Sequence, residues 1–444
     1  MRAGFAKSDV TPRVGVELYG FGPFLNRRSI AVRDRLWARA AAFEQDGKRM
    51  VLVSCDLIGV SRDTVRKVRE IVHDQSGVAR DAVMLHCIHS HSGPNTTGGH
   101  GWGEPDYPYI EVLPQRIASA CLSSIDRMEP VTMSHAEVPC EGIGLNREYD
   151  IDAPPLEDVL RDDWRPAKPE LTDTTCQVMG FRTASGKLAG FLSYFGCHPV
   201  VCCQLTRYIH GDYAGVATNM LERENPGSVG LFLQGAQGDV NSCVVHKPEA
   251  EALLALDVIA SRYANSVREG LSAAKPMQTE SIAWASKDFS FSRKPLDIGY
   301  IKGELAQQEA VLQAPGATEV DDNVRMATVY ALSLRQWVEK MESGEAMNCE
   351  DELQSMRIGP VRLLASPLEV FQAIKNEVKA RTASSTVLVM GITNGMSGYA
   401  PDRTAAARGG YAADQVPLIL GQLPYADIHT ELVDALVEMS KAVN

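Results

Sequence analysis

The chain has 444 residues, of which 45% are hydrophobic and 23% are charged, and its formal net charge is −12. This composition is typical of a globular protein with a large core, and it excludes the disordered and fibrous classes. The negative charge, which no cluster of Lys or Arg offsets, argues against a nucleic-acid partner. No run approaches the roughly 20 apolar residues of a membrane span, so we expect no stable membrane association.

Cysteine usage and the N-terminus indicate the compartment. The first seven residues contain no apolar run of the kind that signal peptides carry. Ten cysteines are present without a CxxC pair, and Cys55, Cys87, Cys176 and Cys197 lie in apolar runs. We therefore expect reduced, buried thiols in a cytoplasmic protein. The sequence leaves the oligomeric state open.

Hydrophobic periodicity predicts interleaved strands and helices. The predicted strands cover 3–11, 35–45, 49–55, 82–88, 131–138, 174–183, 187–196, 229–233, 361–365 and 387–390. The predicted helices cover 62–77, 108–127, 214–223, 248–273, 303–314, 322–343, 368–381 and 426–442. A turn at 45–48 predicts a hairpin, whereas other strands are joined through helices. The sequence therefore predicts an α/β fold with mixed β-sheets flanked by helices, in a single domain over 1–444.

A histidine pair lies where the predicted strand 82–88 runs into a polar turn. Because side chains alternate along a strand, His89 and His91 are predicted to point the same way, and His86 the other way. Gly93 and Pro94 then end the strand. Two imidazoles beside a tight turn often begin a metal site, although polar loops also carry histidines that bind nothing.

Other potential ligands also follow apolar strands. His198 comes just before a proline, Glu369 opens the predicted helix 368–381, and Tyr399 follows the last strand. In α/β folds strand ends gather at one edge, where ligands bind. Two neutral imidazoles and a carboxylate, with one position open for water, form a hydrolytic zinc set. His100 lies in a glycine-rich loop that could close over such a site.

Several short motifs occur in a fixed order along nearly the whole chain. They are Lys7-Ser8-Asp9-Val10-Thr11-Pro12, Tyr19-Gly20-Phe21-Gly22, His89-Ser90-His91-Ser92-Gly93-Pro94, Asn146-Arg147, His198-Pro199, Gly211-Asp212, Gly238-Asp239-Val240, Pro367-Leu368-Glu369, and the tyrosines Tyr399 and Tyr411. In these motifs the sequence resembles the neutral/alkaline, non-lysosomal ceramidases, whose H-T-H-S-G-P is similar to residues 89–94.

The resemblance implies a role for each matching residue. It implies a Zn²⁺ ion bound by His89, His198, Glu369 and Tyr399. His91 would hydrogen-bond a water molecule or the oxyanion beside the metal. Arg147 and Tyr411 correspond to family positions that contact the substrate near the scissile amide.

The sequence departs from the family at one catalytic position. The G-D-V motif of the ceramidases continues with a serine that acts at the reacting carbon, and here Asn241 takes its place. An asparagine is neither a nucleophile nor a proton relay, but it can donate a hydrogen bond to an oxyanion. Ser242 is one residue out of phase and is expected to point elsewhere.

A second departure concerns length. The family carries a C-terminal immunoglobulin-like domain and a secretion signal, and we expect neither here. This favours a soluble small-molecule amide over ceramide in a membrane. The sequence thus predicts a zinc-dependent hydrolase that cleaves the linear amide of a soluble N-acyl compound through a zinc-activated water. Two alternatives stay open, an ester or lactone hydrolase with the same centre and a catalytically silent binding protein.

Overall fold

The computed structural model describes residues 1–99, 101–150, 154–345, 349–382 and 386–444. His100, the histidine of the glycine-rich loop, lies outside the described residues.

The described residues form nineteen strands and eleven α-helices. The strands are β1 (Arg2–Asp9), β2 (Ala31–Val32), β3 (Trp37–Gln45), β4 (Lys48–Cys55), β5 (Val83–Cys87), β6 (Glu129–Pro139), β7 (Gly144–Asn146), β8 (Thr175–Thr183), β9 (Leu188–Phe195), β10 (Tyr208–Ile209), β11 (Val229–Gln234), β12 (Val240–Ser242), β13 (Lys275–Met277), β14 (Ile282–Ser290), β15 (Glu350–Ile358), β16 (Val361–Ala365), β17 (Glu369–Val370), β18 (Thr386–Met390) and β19 (Tyr399–Ala400). The helices are α1 (Arg62–Ser76), α2 (Tyr107–Asp126), α3 (Leu156–Val159), α4 (Asp212–Glu224), α5 (Glu249–Ala273), α6 (Ile298–Leu312), α7 (Asp322–Ser343), α8 (Gln372–Arg381), α9 (Arg403–Arg408), α10 (Val416–Ile419) and α11 (Ile428–Ala442). One turn of π-helix, Tyr411–Gln415, precedes α10.

A nine-stranded sheet with the order β11-β9-β8-β6-β1-β3-β4-β5 forms the centre of the fold, and β13 adds to β6. The β4–β5 and β9–β11 pairs are parallel, and the other pairs are antiparallel. The β3–β4 hairpin turns at Asp46 and Gly47, which both have positive φ as tight hairpin turns require. The predicted mixed α/β architecture is confirmed.

A second sheet has the order β14-β15-β16-β18 and combines antiparallel pairs with the parallel β16–β18 pair. Strands β14 and β15 were not predicted. Most side chains of β14 are exposed or half-buried, so the strand lacks the apolar alternation that marks a core strand. In β15 the buried positions include the polar residues Asp351, Gln354 and Ser355.

Three predicted element boundaries were wrong. Two lie next to the candidate ligands His89 and Glu369, and the third is the start of α6. Strand β5 ends at Cys87, and His89 has a φ of 68°, so it lies in a left-handed turn and not on a strand. Glu369 lies in the short strand β17, and the helix that it was predicted to open starts only at Gln372. Helix α6 begins at Ile298, five residues before the predicted start.

The two sheets meet at one edge, which brings distant candidate residues together. The Cys87 N–H, at the end of β5, donates to the Ile392 carbonyl at 3.0 Å. The Gly391 N–H, just after β18, donates to the Gln234 carbonyl at the end of β11, at 3.3 Å. The C-terminal ends of strands from both sheets therefore face a common region, where α/β folds place their ligands.

All ten cysteines are free, nine of them are buried, and only Cys349 is exposed. The expectation of buried thiols is confirmed for those nine. None of the helices within the described ranges is long and apolar enough to cross a membrane.

Candidate metal centre and active site

His89 is held by the loop that follows β4. Its N–H donates to the Leu57 carbonyl at 2.9 Å, and its Nδ1 lies 2.7 Å from the Ile58 carbonyl oxygen. A carbonyl only accepts, so Nδ1 carries the proton and Nε2 keeps its lone pair. The strand-alternation argument for the pair was wrong, yet the ring centroids of His89 and His91 lie only 4.9 Å apart.

His198 has the same arrangement on a different loop. Its Nδ1 lies 3.2 Å from the Val240 carbonyl oxygen, and its Nε2 faces the Glu369 carboxylate at hydrogen-bond distance. Burial lowers the pKa of His198 to about 4, although Glu369 opposes the shift. His198 is therefore neutral at pH 7 and can act as a ligand.

Glu369 joins the two imidazoles. Its Oε2 lies 2.8 Å from Nε2 of His198 and 3.4 Å from Nε2 of His89. Burial opposes ionisation of this carboxyl, but the two histidines hold its pKa well below the usual value. Two imidazole nitrogens and a carboxylate oxygen thus converge on one point, and in the metal-free chain a hydrogen bond spans the 2.8 Å between His198 and Glu369. This is a donor set that divalent zinc takes, so these residues fit a divalent metal.

The predicted fourth ligand, Tyr399, lies beside Glu369 because β17 and β19 pair in parallel with these two residues in register. Its side chain and those of His89 and Glu369 line one small cavity. In the protein alone, burial and the charge of Glu369 raise the pKa of Tyr399 well above 10. A nearby divalent cation acts in the opposite direction, so ligation by the phenolate depends on the metal.

His91 faces the same region and is the one histidine of the group without a partner. Neither ring nitrogen has a hydrogen bond among the described residues, although both are buried. Gly20, with a φ of +96°, makes room for the ring, because a Cβ at this position would lie 2.3 Å from Nδ1 of His91. The Phe21 ring packs against the imidazole with centroids 5.0 Å apart. His91 is thus positioned by packing and keeps both nitrogens available to a ligand.

A cavity of about 430 Å³ opens above these side chains. The predicted site residues among its lining are His91, Arg147, His198, Asn241, Tyr399 and Tyr411. The structure thus brings all eight predicted site residues together around two adjoining cavities. Their chemical roles stay predictions.

Arg147 anchors one wall of this cavity. Its guanidinium donates to the Gly238 carbonyl at 2.6 Å and lies over the Tyr399 ring, 5.2 Å from the centroid. Burial opposes its charge, but Tyr399 and Glu369 raise the pKa of Arg147 above its usual value. The neighbouring Glu148 forms its ion pair with Arg408 and not with Arg147.

Asn241 lies at the centre of β12, which pairs with β7. Its side chain reaches the cavity, whereas the Ser242 hydroxyl is buried and accepts from the Val244 N–H. This is the alternation expected of a strand.

Burial raises the pKa of nearby Asp239 to about 7, and its carboxyl accepts from the Gln372 N–H and the Asn146 amide. Asp239 therefore fixes the loop and does not reach the cavity.

Sequence reasoning missed several lining residues: Trp102, Val200, Val245, His246, Met326, Tyr330, Gln415 and Ile419. Met326 and Tyr330 belong to α7, whose helical spacing does not indicate which of its residues face a cavity. His246 follows β12 after an apolar run, which is the same signal that marked His198 and could have found it.

A second group of potential ligands, Cys202, His210 and Asp212, is also buried, with ligand atoms within 4.8 Å of one another. Asp212 already accepts hydrogen bonds from the N–H groups of Val201, Cys202 and Tyr213. Nδ1 of His210 accepts from the Asp212 N–H, so its Nε2 carries the proton. We therefore assign this group to loop structure.

A sequence model of the family described as neutral/alkaline non-lysosomal ceramidase, N-terminal, matches residues 1–251. The chain belongs to this ceramidase family. The resemblance seen in the ordered motifs is thereby confirmed. The neutral ceramidase of Pseudomonas aeruginosa is 25% identical to this family member over 260 residues, which cover 56% of this chain and 38% of that protein.

Two solved structures share the fold of this ceramidase-family chain. The crystal structure of neutral ceramidase from Pseudomonas aeruginosa has a TM-score of 0.77 at 20% identity. The superposition covers 99% of this chain and 74% of the Pseudomonas chain. A structure described as ceramidase complexed with C2 has a TM-score of 0.75 at 19% identity and covers 99% and 75% of the two chains. At these identities the likeness establishes the fold.

Proposed function

We propose that this protein is a zinc-dependent hydrolase that cleaves the linear amide bond of a soluble N-acyl compound. One observation carries the proposal. Nε2 of His89, Nε2 of His198 and the Glu369 carboxylate converge below a cavity of about 430 Å³. Membership of the ceramidase family, and the name of the Pseudomonas relative, support hydrolysis of a C–N bond.

The residues that would hold the metal are His89, His198, Glu369 and Tyr399. Zinc bound there would polarise a carbonyl and lower the pKa of a water molecule towards about 7. The carbonyl of Ile58 fixes one imidazole and that of Val240 the other, so the ligands are oriented before any metal arrives.

The chain's own side chains would divide the remaining tasks. His91, with two unpaired ring nitrogens, would accept a proton from the attacking water and pass it to the leaving nitrogen. The Asn241 amide would donate a hydrogen bond to the oxygen on which negative charge develops. Arg147 and Tyr411, which both contact the Tyr399 ring, would orient the substrate.

An ester or lactone hydrolase would use the same groups and is the nearest alternative. A catalytically silent binding protein is the alternative from another class, and Asn241 at the family's serine position is the feature that favours it.

The test is turnover of a panel of N-acyl compounds, esters and lactones by zinc-loaded protein. We expect one zinc per chain, hydrolysis of amides above esters, and a loss of about 10² or more in kcat for His91→Ala with zinc retained. His135→Ala is the matched control, because His135 is a half-buried histidine on β6 that contacts Gln177 and lines neither cavity. Zinc-loaded protein that turns over neither amides nor esters would establish the binding role.

A further inference from the structure

A cleft of about 550 Å³ lies apart from the metal centre, and none of its described lining residues also lines the two cavities there. Its volume falls within the range of about 300–1,000 Å³ that is usual for small-molecule sites. Five positively charged side chains line the cleft: Lys7, Arg33, Arg35, Arg127 and Arg223. The carboxylates of Asp34 and Glu222 line it as well. The lining is therefore positively charged, although the formal net charge of the chain is −12.

The five cations come from segments that are distant in the sequence. Lys7 lies in β1, Arg33 and Arg35 precede β3, Arg127 follows α2, and Arg223 lies in the last turn of α4. The sequence shows no Lys or Arg cluster that offsets the negative charge, because the fold alone brings these residues together. A cleft that gathers one sign of charge in this way raises the local concentration of ligands of the opposite sign.

Three of the cations are paired with carboxylates and two are not. The ion pairs at the cleft are Lys7–Glu222, Arg33–Asp34, Arg33–Asp257 and Arg35–Asp9. Arg127 and Arg223 form neither an ion pair nor a side-chain hydrogen bond within the described part of the chain, and both are exposed. These two guanidinium groups are the ones available to an anion.

The buried side of the cleft adds an oriented amide. Oε1 of Glu222 accepts from Nε of the buried Arg39 at 3.0 Å, and Oε2 accepts from Lys7, so two cations share this carboxylate. Arg39 also donates to Oδ1 of Asn219 at 2.8 Å. This contact fixes the amide of Asn219, whose Nδ2 donates no hydrogen bond to any other described residue. Asn219 therefore supplies N–H donors to the lining without a charge of its own.

A phosphate monoester matches this set of donors. At neutral pH it carries a charge of about −1.5 to −2 and presents three strong acceptor oxygens. Guanidinium groups bind phosphate oxygens through paired N–H donors, and such charge-assisted hydrogen bonds are about twice as strong as neutral ones. A single carboxylate has one charge and two oxygens, and carboxylates of this protein already hold the other three cations. Two unpaired arginines therefore favour the more highly charged phosphate.

We propose that this cleft binds a phosphate monoester, that Arg127 and Arg223 hold its phosphoryl group, and that the Asn219 amide donates to one of its oxygens. The phosphate belongs either to a small soluble ester or to the headgroup of a lipid. The inference does not depend on the amide hydrolysis proposed above, because the cleft and the metal centre have no described lining residue in common.

Isothermal titration calorimetry of the zinc-loaded protein tests the site, with glycerol 3-phosphate as the probe. We expect saturable binding that weakens as the salt concentration rises. Arg127→Gln and Arg223→Gln should each weaken it about tenfold or more, because each removes charge-assisted hydrogen bonds. Arg80→Gln is the matched control, since Arg80 is an exposed arginine that pairs with Asp74 outside the cleft, and its affinity should be unchanged.

Co-sedimentation with vesicles distinguishes the two sources of the phosphate. The vesicles consist of phosphatidylcholine with or without phosphatidic acid, whose headgroup is a phosphate monoester. Binding that requires both phosphatidic acid and Arg223 supports the inference and assigns a lipid headgroup. Calorimetric binding of glycerol 3-phosphate without binding to these vesicles supports it and assigns a soluble ester.

Three results would overturn the inference. If neither probe binds, Arg127 and Arg223 only compensate the negative C-terminal ends of α2 and α4. Binding that persists unchanged in Arg127→Gln and Arg223→Gln would place the phosphate elsewhere, for example on the zinc ion. Equal affinity for malonate, a dianion whose charges are carried by carboxylates, would refute the selection of phosphate.

Discussion

Two buried groups of potential metal ligands lie in this chain, and they differ in what their atoms already do. At His89, His198 and Glu369, backbone carbonyls occupy the Nδ1 atoms, and both Nε2 atoms face the carboxylate. At Cys202, His210 and Asp212, backbone N–H groups occupy the carboxylate, and the free imidazole nitrogen carries a proton. Both groups are buried, but among the described residues only the first leaves its carboxylate without backbone hydrogen-bond donors and faces it with two imidazole nitrogens.

The charges around the two groups strengthen the contrast. Burial and the guanidinium groups of Arg33 and Arg27 lower the pKa of His210 to about 3. Burial raises the pKa of the Cys202 thiol, which therefore stays protonated. Two nearby positive charges also disfavour a cation at this position. A metal centre is thus recognised by which donor atoms the backbone leaves free and by local charge, more than by a count of histidines and acids.

The largest effect is expected from removing a ligand of the first group. His198→Ala should abolish zinc binding and lower kcat/KM by about 10³ or more, because the Lewis acid contributes several kcal/mol to the transition state. Cys202→Ser should retain one zinc per chain and most of the activity. Metal analysis of the dialysed proteins checks both predictions. Loss of zinc from Cys202→Ser would mean that the metal is bound by the second group.

The second largest effect is expected at Asn241. Asn241→Ala should lower kcat by about 10²–10³ with zinc retained, because an oxyanion donor is lost. Steady-state kinetics measure the change, and Ser242→Ala, whose hydroxyl is buried beside β12, is the matched control with little expected effect. An unchanged kcat in Asn241→Ala would remove this residue from the chemistry.

A smaller effect is expected where the loop of Gly20 supports His91. Gly20→Ala should lower kcat about 10- to 100-fold, because its Cβ would lie 2.3 Å from Nδ1 of His91 and displace the ring. Gly22→Ala has similar backbone strain at a φ of +129°, but its Cβ meets only Leu25 at 3.8 Å, so it controls for strain. Equal losses of kcat in both variants would mean that strain, and not His91, is responsible.

Much of the fold could be predicted because the strands of the central sheet are apolar and bounded by turns. Strand β15 could not, since Asp351, Gln354 and Ser355 are buried through tertiary contacts that periodicity does not encode. The candidate site residues could be predicted where they belong to the ordered motifs or follow directly after an apolar strand. The carbonyls of Ile58 and Val240 that fix the imidazoles, and the wall residues of α7, become neighbours only in the folded chain.

The smallest effect concerns stability and the second group. His210 has a pKa of about 3 in the folded protein and about 6.5 when unfolded, so only the unfolded chain binds its proton between these values. The stability that the neutral imidazole contributes is complete above about pH 6.5 and is lost as the pH falls towards 3. At pH 5 the loss is at most about 2 kcal/mol. His210→Asn should reduce the pH dependence by this share, while His198, whose pKa is also lowered, keeps its own. Urea unfolding of metal-free protein at pH 7.5 and pH 5 measures the change, and equal pH dependence in both proteins would contradict the assignment.

The central claim is that a divalent ion is bound where the two Nε2 atoms and the Glu369 carboxylate converge. Anomalous diffraction at the zinc absorption edge, on crystals of the zinc-loaded protein, tests it most directly. We predict a single strong peak about 2 Å from Nε2 of His89 and from Nε2 of His198. A peak beside Cys202 and His210 instead, or no peak in protein that hydrolyses amides, would contradict the account.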